Sequence, residues 1–199
     1  MQHDASNIPH TPGRLIFLVG PSGSGKDSLI DAARVQLVEQ GVRIARRVIT
    51  RSAEARGEDA VGVSPERFEA LCREGAFALH WQANGLAYGI PAQVKQWLAQ
   101  GSSVLVNGSR GHLAEARRCF PDLLAIRLSV APQVLRQRLL ARGRETVEEV
   151  EQRLARNARL AADDDPAVQV LDNSRSLDEA VAALLGLLRE ERVIGQLAG

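Results

Sequence analysis

The chain has 199 residues and a formal net charge of +1, and 45% of its residues are apolar and 25% charged. This length favours one α/β domain with a sizeable core, and the near-neutral charge argues against a general nucleic-acid-binding protein, which usually has a basic excess. No apolar run approaches the roughly 20 residues of a membrane-spanning helix, so we expect no membrane insertion.

The N-terminal stretch and the cysteines favour a cytoplasmic protein. Residues 1–13 have no apolar core and are predicted to form a disordered tail, not a secretory signal. Cys72 and Cys119 lie far apart and outside any metal-binding motif, which is typical of buried thiols in a reducing compartment.

The first predicted element is a buried strand at 15–19, followed by the run GPSGSGKDS and a helix over 28–40. A glycine-rich turn between a strand and a helix is the context of a P-loop. In a P-loop, backbone N–H groups and the helix N-terminus hold phosphates, and the lysine reaches the outer ones. We therefore predict that ATP is bound by Gly20, Pro21, Ser22, Gly23, Ser24, Gly25, Lys26, Asp27 and Ser28.

The residue after Lys26 departs from the usual P-loop pattern, which has Ser or Thr there to ligate Mg²⁺. Asp27 occupies this position and Ser28 follows it. Because a carboxylate is a better ligand for a hard cation than a hydroxyl, we expect Mg²⁺ to be bound by Asp27 or Ser28. The alternative for Asp27 is an ordinary acid in the first turn of a helix, favoured by the helix dipole.

Beyond this motif, strands and helices alternate, with an interruption between residues 51 and 90. Further strands are predicted at 43–50, 77–81, 87–90, 103–107, 123–130 and 168–171, and further helices at 64–74, 91–100, 110–119, 132–142, 146–161 and 177–192. Residues 52–62 are predicted to form a polar loop, and Asn84-Gly85 a hairpin turn. The alternation predicts an α/β fold with a parallel sheet and helices on both faces.

We expect a single domain over residues 14–192. Its core would comprise 14–50, 91–135 and 163–192, with an acceptor-binding insert at 51–90, an arginine-rich lid region at 136–162 and a C-terminal tail at 193–199. The insert is expected over the carboxyl ends of the strands, where ligands of such sheets bind.

Several motifs occur in the order found in guanylate kinases: the P-loop, Thr50-Arg51, Gly57-Glu58, FALHWQANGLAYG and RLLARGRE. Over roughly residues 14–189 the chain resembles these P-loop, nucleoside monophosphate kinase-like enzymes. The resemblance implies that the insert binds the acceptor and that the lid closes over ATP. It also implies that the acceptor phosphate is held by Thr50, Arg51 and Tyr88, and the transferring phosphoryl group by Arg138, Arg142 and Arg153.

Two departures from guanylate kinases concern the acceptor. Leu79 stands where those enzymes have the glutamate that reads guanine, and Ile90 replaces their Ser or Thr after the Tyr-Gly pair. An apolar side chain leaves the donors of a base unpaired, at a cost of about 1–3 kcal/mol each. We therefore expect an acceptor without guanine.

The wider pattern, with GPSGSGKDSL, VITR, VLVNGSR, LRQRL and RGRE, resembles the ribose 1,5-bisphosphate phosphokinases of bacterial phosphonate breakdown. This implies transfer of the ATP γ-phosphoryl group to the 1-phosphate of ribose 1,5-bisphosphate, giving 5-phosphoribosyl 1-diphosphate and ADP. Arg46, Arg47 and Arg56 are available for the additional phosphate, and structural or surface roles are equally open for each.

The predicted chemistry needs no general base, because a phosphate monoester is largely dianionic at pH 7. We therefore assign no catalytic role to His80 or His112. Alignment and charge neutralisation would come from Mg²⁺, Lys26 and the lid arginines Arg138, Arg142 and Arg153.

Two positions, Asn173 and Trp81, have two interpretations each. Asn173 follows the last strand and would line the adenine side of the ATP site or form a turn. Trp81 would line the acceptor pocket or pack the insert. Asn107 and Ser109 stand where guanylate kinases have aspartates, so these two positions carry no negative charge here. We therefore expect Asp27 to supply the negative charge near Mg²⁺ in their place.

The family resemblance leaves two alternatives to the sugar-bisphosphate kinase. A guanylate or other nucleoside monophosphate kinase is opposed by Leu79, and a non-catalytic guanylate-kinase-like binding module by the intact P-loop. The expected partners are small-molecule substrates, with neither nucleic acid nor membrane, and the protein is expected to be a monomer or a homodimer.

Overall fold

The computed structural model describes residues 12–51, 59–143, 145–161 and 165–195. Over these residues the chain forms α-helices and β-strands, with one 3₁₀ turn at Arg110–His112. In chain order they are β1 (Leu15–Val19), α1 (Lys26–Glu39), β2 (Arg43–Ile44), β3 (Arg47–Ile49), β4 (Ala60–Gly62), α2 (Pro65–Arg73), β5 (Phe77–Ala83), β6 (Leu86–Pro91), α3 (Gln93–Ala99), β7 (Val104–Asn107), α4 (Leu113–Cys119), β8 (Leu124–Ser129), α5 (Pro132–Ala141), α6 (Val147–Ala161), β9 (Val168–Asp172) and α7 (Leu177–Glu190).

A five-stranded parallel sheet, the core sheet, has the order β2-β7-β1-β8-β9. Its central strand β1 is buried at every position, because apolar layers cover both faces. Ile16 and Leu18 pack in the layer with α1 and α7, whereas Leu15 and Phe17 pack in the layer with α3, α4 and the insert. The predicted parallel sheet with helices on both faces is confirmed.

A second sheet of four strands, the insert sheet, has the order β4-β3-β6-β5. The prediction of one strand over 43–50 is wrong, because the chain changes sheets inside it. Arg43–Ile44 pairs with β7 of the core sheet, and Arg47–Ile49 pairs with β4 and β6. The predicted loop at 52–62 also contains the short strand Ala60–Gly62, which forms parallel to β3.

Two other features of the insert, a helix cap and a hairpin turn, are determined by residues that are close in the chain. Ser64 caps α2 by accepting a hydrogen bond at its Oγ from the Arg67 amide at 3.2 Å. Asn84 and Gly85 have φ values of 51° and 74°, as a two-residue hairpin turn between antiparallel strands requires. The predicted hairpin is therefore confirmed, with strands longer than expected.

Helices α5 and α6, the lid helices, pack on each other through Leu135, Leu139 and Val150. They also lie against the P-loop, since a Cβ at Gly23 would be 2.7 Å from the Leu139 Cδ2 atom.

None of the described helices is long and apolar enough to cross a bilayer.

Candidate active site

The loop from Gly20 to Gly25 joins β1 to α1, which begins at Lys26, two residues earlier than predicted. Gly23 and Gly25 have φ values of 91° and 86°, a conformation that side chains disfavour. A Cβ at Gly25 would also lie 2.7 Å from the Asn173 Nδ2 atom. The loop thus has the tight, backbone-lined form that phosphate binding at a helix N-terminus requires.

The Lys26 ammonium lies over this loop. Its Nζ donates hydrogen bonds to the Gly20 carbonyl at 2.8 Å and to the Pro21 carbonyl at 3.2 Å. The lysine is half-buried beside the first turn of α1, so its charge lies next to any phosphate that the loop amides bind.

Asn173, which directly follows the edge strand β9, holds the loop by a hydrogen bond. It is 3% exposed, and its Nδ2 donates to the Ser24 carbonyl at 2.6 Å. Its own amide donates to the Ser129 carbonyl at 2.8 Å, at the end of β8. Asn173 therefore has a structural contact with the loop, and its adenine-side role stays a prediction.

Replacing Asn173 with alanine should lower the free energy of unfolding by about 1–3 kcal/mol, because the buried Ser24 carbonyl loses its amide donor. Chemical denaturation with urea measures this change. The control Gln96→Ala removes an exposed amide from α3 and should change stability by less than about 0.5 kcal/mol. Equal stability of the Asn173 variant and wild type would contradict the assigned role.

Two of the three predicted lid arginines lie at the P-loop. Arg153 of α6 donates from Nη1 to the Ser22 Oγ at 3.0 Å, and its Nη2 is 2.5 Å from Glu145 Oε1. Arg138 of α5 donates from Nη1 to the Ser24 carbonyl at 3.4 Å. Arg142 is exposed at the C-terminal end of α5, and no contact with the loop is described for it.

The predicted metal side of the site brings together two residues from distant parts of the chain. Asn107, at the end of β7, donates from Nδ2 to Asp27 Oδ1 at 2.6 Å. The Asn107 Oδ1 atom is buried, and within the described residues it accepts no hydrogen bond. Ser28 lies exposed on the first turn of α1. A carboxylate beside an orphaned amide oxygen is a set of oxygen donors that suits a hard divalent cation.

The acceptor residues lie along β3 and β6. Thr50 Oγ1 accepts a hydrogen bond from the Ala87 amide at 2.8 Å, which holds the end of β3 on the hairpin. Arg51 follows, half-buried, and Tyr88 is half-buried opposite Ile49. The structure thus brings Thr50, Arg51 and Tyr88 together. Arg56, also predicted to bind the acceptor, lies outside the described residues.

The aromatic side chains of the insert form a stack that reaches the core. The ring of Tyr88 lies on that of Trp81 at 5.6 Å between centroids, and Trp81 lies on His112 at 5.4 Å. Trp81 and Leu79 are 8% and 3% exposed, and both pack in the apolar layer under the insert sheet. This placement favours the packing interpretation of Trp81, and substrate contact by Leu79 stays a prediction.

His112 is the last ring of this stack, next to Trp81. Burial lowers its pKa below the ordinary value, and the nearby His80 and Arg118 lower it further. A stacked imidazole with a lowered pKa suits a packing role, and the expectation that His112 has no catalytic role stays a prediction.

Two arginines near the lid were not singled out from the sequence. Arg110 donates from Nη2 to Asn157 Oδ1 of α6 at 3.3 Å. Burial lowers the pKa of Arg110, and the charge of the nearby Arg127 lowers it further. The sequence did contain a signal for Arg127, because this charged residue lies within the mainly apolar strand LAIRLS.

Comparison with known proteins shows relatives over nearly the whole chain. The guanylate kinase family model matches residues 12–191. A protein of Azotobacter vinelandii named ribose 1,5-bisphosphate phosphokinase PhnN is 66% identical over 178 residues, covering 89% of this chain and 97% of that protein. Proteins of the same name from Pseudomonas paraeruginosa and Pseudomonas fluorescens are 64% and 62% identical, covering 90% and 87% of this chain and 97% and 93% of those proteins.

A solved structure supports the fold of this chain. The crystal structure of guanylate kinase from Anaplasma phagocytophilum superposes with a TM-score of 0.68 at 21% identity, covering 91% of this chain and 87% of that one. The predicted guanylate kinase-like fold is therefore confirmed.

Proposed function

This chain belongs to the guanylate kinase family and, within it, to the ribose 1,5-bisphosphate phosphokinases, and we propose that it phosphorylates ribose 1,5-bisphosphate at the 1-phosphate. The products are 5-phosphoribosyl 1-diphosphate and ADP. The structural observation that carries this proposal is the combination of a complete phosphate-handling loop with an insert whose base-reading position is the buried Leu79.

In the reaction, an oxygen of the acceptor 1-phosphate attacks the γ-phosphorus of ATP, and the bond from that phosphorus to the β-phosphate oxygen breaks. The attacking oxygen is already deprotonated at pH 7, so no side chain has to remove a proton. Lys26, which contacts the Gly20 carbonyl, and Arg153, which contacts the Ser22 hydroxyl, neutralise the charge that builds up between the two polyanions. Arg138 fixes the loop backbone at Ser24.

We also propose that Mg²⁺ is held by Asp27, with Asn107 Oδ1 and Ser28 as the neighbouring oxygen donors. The orphaned buried Asn107 Oδ1, 6% exposed as a residue, supports this placement. When bound, the cation supplies positive charge to the phosphates of ATP.

Replacing Asp27 with serine should raise the Mg²⁺ concentration needed for half-maximal turnover by about tenfold, because a site carboxylate and the orientation of Asn107 are lost. Titration of activity with Mg²⁺ measures this, and Mn²⁺ binding followed by electron paramagnetic resonance reports on the site without turnover. The control Asp31→Ser, one turn later on α1, removes a 60% exposed carboxylate paired with Arg34. Unchanged activity of Asp27→Ser at low Mg²⁺ would contradict the proposal.

The reaction itself is tested by ADP release with ATP and Mg²⁺ in parallel samples containing ribose 1,5-bisphosphate, GMP or no acceptor. Phosphorus-31 spectra identify the product. We expect a new diphosphate signal only with the sugar bisphosphate. Turnover of GMP instead would mean that this chain is a guanylate kinase and that residues other than Leu79 recognise the base.

We propose a cytoplasmic location, which the free thiols of Cys72 and Cys119 support. The expectation that both thiols are buried is wrong, because Cys72 is half-buried and Cys119 is exposed. We also propose that the protein acts as a monomer or a homodimer.

A further inference from the structure

We propose that the side-chain contact between Arg110 and Asn157, here called the latch, holds α6 at the P-loop and thereby positions Arg153 for phosphoryl transfer. The inference rests on the proposed function. Arg110 is a positioning residue in this proposal, because it acts through α6 and not on the substrates themselves.

Two side chains that lie one turn apart on α6 contact the rest of the site. Arg153 Nη1 donates a hydrogen bond to Ser22 Oγ of the P-loop at 3.0 Å, and Asn157 Oδ1 accepts one from Arg110 Nη2 at 3.3 Å. Residues four positions apart lie on the same face of a helix, about 6 Å apart along its axis. One face of α6 therefore carries both the proposed catalytic arginine and the latch.

Arg110 belongs to a turn that is fixed to the core. It begins the 3₁₀ turn between β7 and α4. Before this turn, the Gly108 amide donates a hydrogen bond to the Leu18 carbonyl of β1 at 2.8 Å. At its end, the His112 ring stacks on Trp81. The guanidinium of Arg110 thus reaches α6 from a backbone that is held both before and after it.

The latch is polar but is not an ion pair. Arg110 is half-buried, and burial and the nearby Arg127 both lower its pKa, although a guanidinium stays charged in proteins. No carboxylate of the described residues pairs with Arg110, and its described acceptor is Asn157 Oδ1. The Asn157 Nδ2 atom is buried and has no hydrogen-bond partner among those residues. Asn157 therefore contributes to the latch through its oxygen.

A neutral acceptor suits a lid that moves in each turnover. A hydrogen bond from a charged donor to an amide oxygen is weaker than a guanidinium–carboxylate pair. In the proposed reaction the lid opens to admit ATP and to release ADP. The latch is therefore strong enough to orient α6 during transfer and weak enough to break between turnovers.

Contacts between the two lid helices do not replace the latch. Leu139 of α5 and Val150 of α6 lie in one apolar cluster, and Arg136 of α5 pairs with Glu151 of α6. These contacts fix α6 to α5, whereas the latch fixes α6 to the turn after β7. Loss of the latch should therefore misplace Arg153 without unfolding the lid. A displacement of about 1 Å in a positioning element can lower a rate by about 100-fold.

The test is a double-mutant cycle in which kcat is measured with ATP and ribose 1,5-bisphosphate. Arg110→Met removes the N–H donors and keeps a long side chain. We expect it to lower kcat by about tenfold and to change the KM for the acceptor by less than about twofold. In an Arg153→Gln background, Arg110→Met should lower kcat by less than about twofold, because the residue that it positions is already absent.

The other half of the latch gives a second cycle. Asn157→Ala should also lower kcat by about tenfold, and combining it with Arg110→Met should lower kcat no further than either single change. Arg118→Met is the control, since it removes an exposed arginine of α4 that pairs with Glu115. This control should retain wild-type kcat.

Binding of a non-hydrolysable ATP analogue with Mg²⁺, measured by calorimetry, tests the latch without any acceptor. Arg110→Met and Asn157→Ala should each raise the Kd of the analogue by about threefold or more. Asn157→Asp keeps an acceptor oxygen and should bind the analogue at least as tightly as wild type. Circular dichroism spectra confirm that each variant is folded.

Three outcomes would overturn the inference. An equal loss from Arg110→Met in the wild-type and Arg153→Gln backgrounds would mean that Arg110 acts independently of Arg153. Wild-type kcat and Kd in Asn157→Ala would mean that the contact with α6 has no role in the reaction. A loss of binding in Asn157→Asp as large as that in Asn157→Ala would mean that the acceptor oxygen does not hold α6.

The latch and the proposed function fail in different ways. In each of these three cases, turnover of ribose 1,5-bisphosphate would still support the proposed function. A wild-type enzyme that does not turn over this acceptor would refute that function, whereas binding of the ATP analogue would still test the latch.

Discussion

Replacing Lys26 with alanine should lower kcat by about 1,000-fold, while the protein stays folded. The ammonium lies over the loop at 2.8 Å from the Gly20 carbonyl, beside the proposed position of the outer phosphates of ATP. Its contribution grows as negative charge develops during transfer, so most of the loss should fall on kcat and less on the KM for ATP. Steady-state kinetics with ribose 1,5-bisphosphate measure both parameters.

The chain offers a matched control, since Lys95 is its only other lysine. Lys95 is exposed on α3, away from the P-loop in the chain and outside the predicted site. Lys95→Ala should therefore retain wild-type kcat. A Lys26→Ala enzyme with kcat within tenfold of wild type would show that the loop lysine does not stabilise the transferring phosphoryl group.

Replacing Arg153 with glutamine should lower kcat by about 100- to 1,000-fold, because a guanidinium beside the loop is removed from the transition state. Arg153 already contacts the loop at Ser22 Oγ, and Glu145 holds its other nitrogen. Single-turnover kinetics separate the chemical step from product release, which a lid can also limit.

Arg136 provides the control within the same lid. Its Nε is 2.5 Å from Glu151 Oε1, and this pair joins α5 to α6 at the exposed surface. Arg136→Gln should lower kcat only slightly. Similar losses in both variants would indicate that the cohesion of the lid, and not the charge of Arg153 at the loop, governs the rate.

The P-loop, the insert hairpin and the helix caps were predictable from sequence because each depends on residues that are close in the chain. The strand at Leu15–Val19, the glycines at 23 and 25 and the helix after them specify one another locally. Asn84-Gly85 likewise determines its hairpin through backbone conformation. The substrate class was inferred from the resemblance to the ribose 1,5-bisphosphate phosphokinases. Leu79 and the P-loop residues were the informative positions in that resemblance.

The division of residues 43–50 between two sheets was not predictable from their pattern. A short run of mixed apolar and charged residues with β-branched side chains indicates a strand but not its partners. Here the partner of Arg43–Ile44 is β7, and the partners of Arg47–Ile49 come from segments that follow it in the chain. The same limit applies to Ala60–Gly62, which is a strand because β3 lies beside it.

The sequence by itself determined that this protein binds a nucleotide, that its fold is α/β and which kinase family it resembles. Only the tertiary structure decided which polar residues meet in the site. Asn107 and Asp27 are 80 positions apart, Arg47 and Asn107 are 60 apart, and Asn173 and Ser24 are 149 apart. Asn107 and Asn173 reach the P-loop because parallel strands bring their carboxyl ends to one edge of the sheet, and no local pattern encodes which side chains then face one another.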